Sequence, residues 1–283
     1  MTKNNNYRLK VKKILCLTIS LCFKLFMLVF FAFPFFWMIS TAFKNYKESI
    51  RFPPTLLPSA FNTSAFMEVA EKINLFYYLK NSILVSTIVV ILQLLINIPA
   101  AYGFARFEFK GKRLMWLLVM VSFMIPLQLT FIPVYIMFAK AKLLDTLLPQ
   151  ILPFAANAYG IFLMRQSFMQ MPKSLMESAR IDGAGELTIL LKVVIPMSKN
   201  SIVTAHLFSF ISMWNSYFWP LVMTNSDKIR PLPLAMQRLQ DTNQGLDWPV
   251  LMAANTVLVL PILILFLFLS KQILDSLGYK GDK

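Results

Sequence analysis

Long apolar runs recur along this chain, and they limit the folds available to it more than any other feature. A helix needs about 20 predominantly apolar residues to cross the hydrocarbon core of a bilayer. Segments of that kind lie at 14–43, 81–106, 114–138, 148–168, 201–225 and 250–270. The sequence therefore predicts an all-α membrane protein, with one bundle of six transmembrane helices over 14–270 and tails at 1–13 and 271–283.

The charged residues indicate an orientation for this bundle. The chain carries 28 Lys and Arg against 13 Asp and Glu, a formal net charge of +15. Lys and Arg are enriched in the cytoplasmic loops of membrane proteins. With the N-terminus inside, most basic residues fall in the inner segments, including the compact turn RFEFKGKR at 106–113. Both termini are therefore predicted to be cytoplasmic, and the positive charge needs no nucleic acid to explain it.

The sequence lacks the patterns that enzymes and proton-driven carriers need. Every Asp and Glu falls outside the six apolar segments, whereas proton-coupled carriers keep a carboxylate at membrane depth. The sequence contains no G-x-x-x-x-G-K-[ST] phosphate loop, no nucleophile elbow and no cysteine-based metal spacing. We therefore expect no catalytic residue, metal or cofactor in this chain, and any ATP hydrolysis must come from another one.

Neutral polar and aromatic side chains occur within the apolar segments. Such groups suit a hydroxyl-rich solute, which needs hydrogen bonds and an apolar face on which a ring stacks. The same residue types also hydrogen-bond membrane helices to one another, and for any single residue this structural role is the more common one. The candidates for a solute pathway are Gln128, Asn157, Ser212, Trp214, Asn215 and Asn255. The single histidine, His206, is expected to be a packed residue and not a ligand.

A charged segment, MPKSLMESARIDGAGELTILLKVVIPMSKN at 171–200, separates the fourth and fifth apolar runs. Helical spacing places Leu175, Met176 and Ala179 on one face, with Glu177 and Arg180 on the opposite face. Glycines at 183 and 185 permit the left-handed cap and sharp turn that end such a helix. A second helix is predicted from there to the proline at 196. The 171–200 segment is therefore expected to form a helix, a turn and a helix on the cytoplasmic side.

Three functions are compatible with these patterns. The first is a subunit of a transporter driven by an ATPase on another chain. The second is a self-contained secondary carrier for a small polar solute, with sodium sites built from carbonyl groups. The third is a membrane scaffold that transports nothing, although a scaffold gives no reason for the polar residues within the spans.

A family resemblance favours the first function. In the 171–200 segment it rests on the spacing of Glu177, Ser178, Ala179, Gly183, Val193, Ile195 and Pro196. This pattern resembles the cytoplasmic E-A-A-x3-G-x9-I-x-L-P loop of permease subunits in binding-protein-dependent ABC importers. The departures are serine for the first alanine, valine for isoleucine and isoleucine for leucine. Further stretches, including FPFFWMISTAFKN, MIPLQLTFIPVY and WNSYFWPL, resemble the second permease of carbohydrate importers of the maltose type over nearly the whole length.

The resemblance implies a multi-subunit machine in a bacterial inner membrane. Its other parts would be a second homologous permease, a cytoplasmic ATPase dimer that binds ATP-Mg, and an extracellular solute-binding protein. The solute would be an oligosaccharide, a monosaccharide, a polyol or a glycerol phosphate. A cytoplasmic coupling helix between spans four and five would dock on the ATPase. The residues assigned to this coupling are Leu175, Met176, Glu177, Ser178, Ala179, Arg180, Asp182, Gly183 and Pro196.

Overall fold

The computed structural model describes residues 2–237, 239 and 246–276, and no strand occurs within this part of the chain. The predicted all-α class is confirmed. The helices are α1 (Thr2–Ala42), α2 (Tyr46–Ser49), α3 (Ser64–Lys72), α4 (Leu75–Arg106), α5 (Lys112–Met124), α6 (Leu127–Lys140), α7 (Leu148–Ile151), α8 (Ala158–Met169), α9 (Lys173–Ile181), α10 (Glu186–Ile189), α11 (Ile195–Met197), α12 (Lys199–Trp214), α13 (Phe218–Met223), α14 (Leu232–Gln237) and α15 (Trp248–Ser276). The predicted N-terminal tail is part of α1, residues 271–276 continue α15, and 277–283 of the predicted C-terminal tail lie outside the described residues.

The chain divides into two compact units. The first comprises residues 1–72 and 239–257, and the second comprises 73–238 and 258–283. In the first unit, the loop that follows α1 folds back on the end of this helix. Ser40 Oγ donates to the carbonyl oxygen of Leu56 at 2.5 Å, and Lys44 Nζ donates to that of Thr55 at 2.5 Å. Because Lys44 also lies 4.5 Å from the ring centre of Trp37, its buried charge has two partners.

Three helices among the described residues are long and apolar enough to cross a bilayer: 13–42 in α1, all of α4, and 248–274 in α15. Two bent pairs raise this number to five if each pair is one span. The pair α5 and α6 bends by 99°, and the pair formed by 186–197 and α12 bends by 80°. In the region predicted as the fourth span, α8 has 12 residues, fewer than the roughly 20 of a full crossing. The count of six spans stays a prediction.

The break between α5 and α6 follows from its sequence. Pro126 restricts the residue before it to extended backbone, and Ile125 has φ −78° and ψ 118°. The helix therefore ends at Met124 and restarts at Leu127. The predicted third span, 114–138, includes both halves of this broken helix.

Helix α4 is the centre of the second unit, and α8 and α12 pack along it. The core between them contains Ala101, Met164, Phe168, Ile189 and Val194, each fully buried. Residues 190–194 form a π-helical turn between α10 and α11. The core therefore joins the last turns of α4 to the 171–200 segment.

Asp145 joins two loops of the second unit by hydrogen bonds. Its Oδ1 accepts hydrogen bonds from the backbone N–H groups of Asn225 and Ser226, both at 2.7 Å. Its own N–H donates to the carbonyl oxygen of Met223 at 2.9 Å. The N–H groups of Ser226 and Asn225 lower the pKa of this carboxyl because they stabilise its ionised form. The residue has a left-handed φ of +61°, a conformation that Asp and Asn tolerate better than most residues.

Candidate functional site

A cleft of about 500 Å³ opens in the second unit. Its walls come from α4, α5, α6, α8, α12 and α13 and from the break before α8. The polar side chains that line it are Gln93, Ser122, Gln128, Asn157, Tyr159, Ser209, Ser212, Ser216 and Tyr217. Phe123, Phe154, Phe218 and Trp219 are among the apolar ones. None of the described lining residues carries a charge, so the cleft offers neutral hydrogen-bonding groups and aromatic faces.

Gln93 joins two walls of the cleft. Its Nε2 donates to the carbonyl oxygen of Phe154 at 2.8 Å, and its Oε1 accepts from Ser209 Oγ at 2.5 Å. The side chain is 3% exposed, so both of its polar atoms are satisfied inside the protein. Gln93 therefore connects α4 to α12 and to the 3₁₀ turn at 152–154.

Asn157 lies where the chain breaks before α8, and it is the N-cap of that helix. Its Oδ1 accepts from the N–H of Gly160 at 3.1 Å, a typical use of asparagine at this position. Its own N–H donates to Asn97 Oδ1 at 3.2 Å. The break therefore places a polar residue at the cleft and attaches the start of α8 to α4.

Aromatic rings also line the cleft. Trp219 packs edge-to-face on Phe131, at 5.4 Å between ring centres, and on Phe154, at 5.3 Å. Its Nε1 donates to the carbonyl oxygen of Pro149 at 2.7 Å. These contacts fix the ring at the side of the cleft.

The structure brings together half of the residues proposed for a pathway. Gln128, Asn157 and Ser212 line the cleft. The side chain of Trp214 is fully buried, and its Nε1 donates to the carbonyl oxygen of Leu258 at 3.0 Å. Asn215 is exposed at the end of α12.

Asn255, the remaining pathway candidate, is an exposed residue of the first unit. Sequence reasoning selected Ser212 but not Ser209 or Ser216, although all three serines lie in the same apolar run. Ser209 lies five residues before Trp214 in α12, and that spacing places the two on different faces. Gln93 could have been recognised as a candidate from the sequence, because it is an amide within an apolar run.

The 171–200 segment forms the predicted helix, turn and helix. In α9, Met176 is 2% exposed and belongs to the core, and Ala179 packs against that core. Leu175 is 42% exposed, although the helical spacing grouped it with these two. The charged Glu177 is exposed, as are Ser178 and Asp182.

The helix α9 ends in a glycine cap. Gly183 has φ +82°. Its N–H donates to the carbonyl oxygen of Arg180 at 3.0 Å, and the N–H of Ala184 donates to that of Ala179 at 2.9 Å. This pair of bonds is the Schellman pattern. Pro196 lies inside α11 and does not end the second helix, because the break comes at Ser198.

Hydrogen bonds tie the 171–200 segment to the end of α4. Tyr102 Oη donates to Glu186 Oε2 at 2.7 Å, and Arg180 Nε donates to Glu186 Oε1 at 2.7 Å. The bond to Glu186 raises the pKa of Arg180 because it stabilises the guanidinium. Arg106 Nη2 donates to the carbonyl oxygens of Phe168 and Met171, just before α9. The last turn of α4 therefore holds the segment on both sides of α9.

Sequence comparison connects this architecture to known proteins. The profile of a family described as "Binding-protein-dependent transport system inner membrane component" matches residues 93–276. The chain is 31% identical to the arabinooligosaccharides transport system permease protein AraQ of Halalkalibacterium halodurans, over 94% of this chain and 95% of the relative. It is 30% identical to the diacetylchitobiose uptake system permease protein DasC of Streptomyces coelicolor, over 87% and 89%. It is 28% identical to the sn-glycerol-3-phosphate transport system permease protein UgpE of Agrobacterium fabrum, over 83% and 86%.

Structure comparison gives the same fold. A chain of a bacterial ABC transporter involved in the import of the acidic polysaccharide alginate superposes with a TM-score of 0.80. The match covers 92% of this chain and 97% of that one, at 24% sequence identity. The arrangement of helices around α4 is therefore one that transporter subunits adopt.

Proposed function

The chain belongs to the family of binding-protein-dependent transport system inner membrane components, and we propose that it is one of two permeases in an ATP-driven importer of a sugar or sugar-related solute. It is a multi-pass inner-membrane protein and not an enzyme. In the proposed topology the chain crosses the membrane six times, and α7 and α8 together supply the fourth crossing. Both termini are cytoplasmic, in agreement with the excess of basic residues in the inner segments.

We propose that the cleft forms the part of the solute pathway that this chain contributes. Its lining has amide and hydroxyl groups, aromatic rings and no charged group among the described residues. A neutral, hydroxyl-rich solute fits such a lining better than a phosphate ester, because an anion in a low-dielectric site needs a cationic partner. Neutral sugars are therefore the favoured class. Relatives named for arabinooligosaccharides and diacetylchitobiose support this choice.

One helix connects the cleft to the 171–200 segment, and this observation carries the proposal. Gln93 of α4 lies at the cleft, and Tyr102 of the same helix is hydrogen-bonded to Glu186. Nine residues at 1.5 Å each separate them by about 13 Å along a continuous helix. A displacement of the 171–200 segment would move α4 and so change the cleft.

The partner that moves this segment is proposed to be a cytoplasmic ATPase dimer, which binds ATP-Mg. The coupling helix is α9, with its E-S-A sequence at 177–179. Leu175, Ile181 and Leu187 expose 42%, 86% and 69% of their side chains. These apolar groups, together with the exposed Glu177, suit a groove on a protein partner.

Two further partners complete the importer. The described side chains of α5 and α6 include none that is buried, and the apolar stretch of α1 is likewise uncovered. A second permease subunit and lipid would cover these faces. The extracellular solute-binding protein would deliver the sugar to the outer loops.

Reconstitution tests the proposal. Proteoliposomes that contain this chain, the second permease, the ATPase and the binding protein are expected to accumulate [14C]arabinotriose or [14C]diacetylchitobiose only when ATP is enclosed. Proteoliposomes with this chain alone should accumulate neither sugar. Uptake by the chain alone under a sodium gradient, or ATP-independent uptake by the full assembly, would contradict the proposal and favour a secondary carrier.

A further inference from the structure

A second chamber adjoins the cleft, and its polar groups are incompletely paired. It measures about 200 Å³, more than ten times the roughly 15 Å³ that one water molecule needs. It shares five polar residues with the cleft: Gln93, Asn157, Tyr159, Ser209 and Ser212. The rest of its lining comes from Asn97, Gly160, Ala205, His206 and Phe208. The shared residues place it beside the cleft described above.

The chamber is lined by two buried side chains that each keep one polar atom without a partner among the described residues. Asn97 is fully buried, and its Nδ2 is unpaired although its Oδ1 accepts from Asn157. His206 is 6% exposed, and its Nε2 is unpaired. Buried polar atoms are nearly always hydrogen-bonded in folded proteins. Two such atoms at one chamber therefore leave hydrogen-bonding capacity for a water molecule or a solute group.

Their hydrogen-bonding roles are complementary. His206 Nδ1 lies 2.7 Å from the carbonyl oxygen of Ile202. A carbonyl oxygen only accepts, so we assign the proton to Nδ1, and in the neutral ring Nε2 is then an acceptor. The unpaired Asn97 Nδ2 is a donor. A hydroxyl group both accepts and donates, and it therefore matches this pair.

The two residues lie at the same level of the bundle. Gln93 of α4 and Ser209 of α12 are hydrogen-bonded to each other. Asn97 follows Gln93 by four residues, and His206 precedes Ser209 by three. In a pair of antiparallel helices, a step of four residues forward in α4 and a step of three residues back in α12 both lead about one turn in the same direction. Asn97 and His206 are therefore neighbours one turn beyond the Gln93 bridge, on the side of the 171–200 segment.

Gly160 packs closely against the amide of Asn97. A Cβ atom at this position would lie 3.0 Å from Asn97 Nδ2. That separation is shorter than an ordinary contact between non-bonded atoms, so a side chain at 160 would push against the amide. Any larger residue at 160 would therefore displace the Asn97 donor.

We propose that Asn97 and His206 form an inner subsite that binds one hydroxyl group of a neutral polyhydroxylated solute after it has passed the cleft. The proposal rests on the proposed function, since it assigns a role to solute beyond the cleft. The amide of Asn97 donates to the hydroxyl oxygen, and Nε2 of His206 accepts its proton in a hydrogen bond. A water molecule has the same chemistry, and the test separates the two sources.

The single histidine of the chain permits a direct measurement. The full chain, labelled with [15N]histidine and purified in lipid nanodiscs without a histidine tag, gives the nitrogen signals of His206 alone. Erythritol is expected to shift the Nε2 signal upfield in a saturable manner. The diether 1,2-dimethoxyethane, which has the same number of carbons and no hydroxyl group, is expected to leave it unchanged.

Two glycine variants provide matched steric controls. Gly160→Ala should weaken the apparent affinity for erythritol about fivefold to tenfold, the effect of losing one hydrogen bond. Gly103→Ala places the same methyl group on a helix where a Cβ meets nothing within 4 Å, and it should bind as the unmodified chain does. Asn97→Leu, which removes the donor, should resemble Gly160→Ala.

The outcomes separate this inference from the proposed function. An Nε2 signal that does not respond to erythritol, or that responds equally in Gly160→Ala, would mean that the chamber binds only water and would overturn the inference. If the assembled importer still accumulates [14C]arabinotriose in that case, the proposed function stands without the subsite. A saturable, hydroxyl-dependent shift that Gly160→Ala weakens supports the subsite, whereas absence of all sugar uptake would overturn the proposed function and leave a hydroxyl site without a transport role.

Discussion

The buried hydroxyl of Tyr102 donates a 2.7 Å hydrogen bond to Glu186 Oε2, while the other oxygen of the same carboxylate accepts from Arg180. Tyr102 is 4% exposed and lies in the last turns of α4. The carboxylate therefore joins the helix that reaches the cleft to the last turn of α9. This three-residue contact gives the coupling proposal its sharpest test.

Tyr102→Phe is expected to reduce sugar uptake per ATP hydrolysed while the ATPase activity of the complex continues. The change removes one hydrogen bond to a charged group, worth about 1.5 to 3 kcal/mol, and keeps the aromatic packing against Phe107. Uptake and phosphate release would be measured in the same proteoliposomes. Tyr77→Phe, at a tyrosine with 48% exposure, is the matched control, and equal coupling ratios in both variants would contradict the role of Tyr102.

Gly183→Leu is expected to uncouple transport from ATP hydrolysis, because it strains the backbone at this position. Gly183 has φ +82°, and space around it is open, so the variant is strained by its conformation and not by a clash, at about 1 to 2 kcal/mol. Gly111 has the same φ and the same open surroundings. Gly111→Leu should therefore lower thermal stability by a similar amount with little loss of coupling. Comparable loss of uptake in the two variants would show that strain alone is responsible.

Gln93→Leu is expected to destabilise the cleft. It leaves the carbonyl oxygen of Phe154 and the hydroxyl of Ser209 without their bonds to Gln93, at a cost of about 1 to 3 kcal/mol for a buried group. Thermal denaturation in detergent measures the loss. Ser122→Ala, at an exposed serine that bonds only within its own helix, should change stability little. Similar melting temperatures for the two variants would show that the bridge is not needed.

The hydrogen bonds that Asp145 accepts from Asn225 and Ser226 predict an acid-dependent change in the loops that they join. The folded-state pKa of Asp145 lies below the ordinary value of about 3.9. The ionised carboxylate therefore stabilises the folded loops fully when the pH is above that ordinary pKa. This contribution is lost as the pH falls through the lower, folded-state pKa. Asp145→Asn keeps the residue type suited to a left-handed φ and removes only the charge.

Limited proteolysis of the 224–226 region between pH 6 and 3 measures this effect. Protection in the unmodified chain should fall only at the acid end of the range. In Asp145→Asn it should be lower at pH 6 and vary less with pH. Equal protection of the two chains at pH 6 would rule out a contribution from the charge.

The general fold was accessible from sequence because periodicity and apolar length determine membrane helices. The apolar run at 81–106 lies within α4. The left-handed cap predicted at the glycines that follow α9 is formed by Gly183. The bends were harder to place. A proline such as Pro126 disfavours a continuous helix, but a change of direction of 99° depends on packing partners that a linear pattern does not contain.

The cleft was only partly predictable for a related reason. Gln128, Asn157 and Ser212 reach it, whereas Trp214, in the densest polar and aromatic cluster, turns into the protein and bonds Leu258. The face a side chain presents depends on which helix lies beside it, and composition does not encode that. His206 was expected to be packed, and it is buried. Its unpaired Nε2 became visible only with the neighbouring helices in place.

The π-helical turn at Leu190–Val194 determines how this stretch of chain responds to a change in length. Ile189 and Val194 are five residues apart and both fully buried, whereas at about 100° per residue an α-helix would place them about 140° apart. Deleting one residue between them would restore α-helical spacing and keep both on one face. The same deletion in α12 would rotate the preceding turns by about 100° relative to those that follow. We therefore expect a single-residue deletion to be tolerated at the π turn and to disrupt packing in α12.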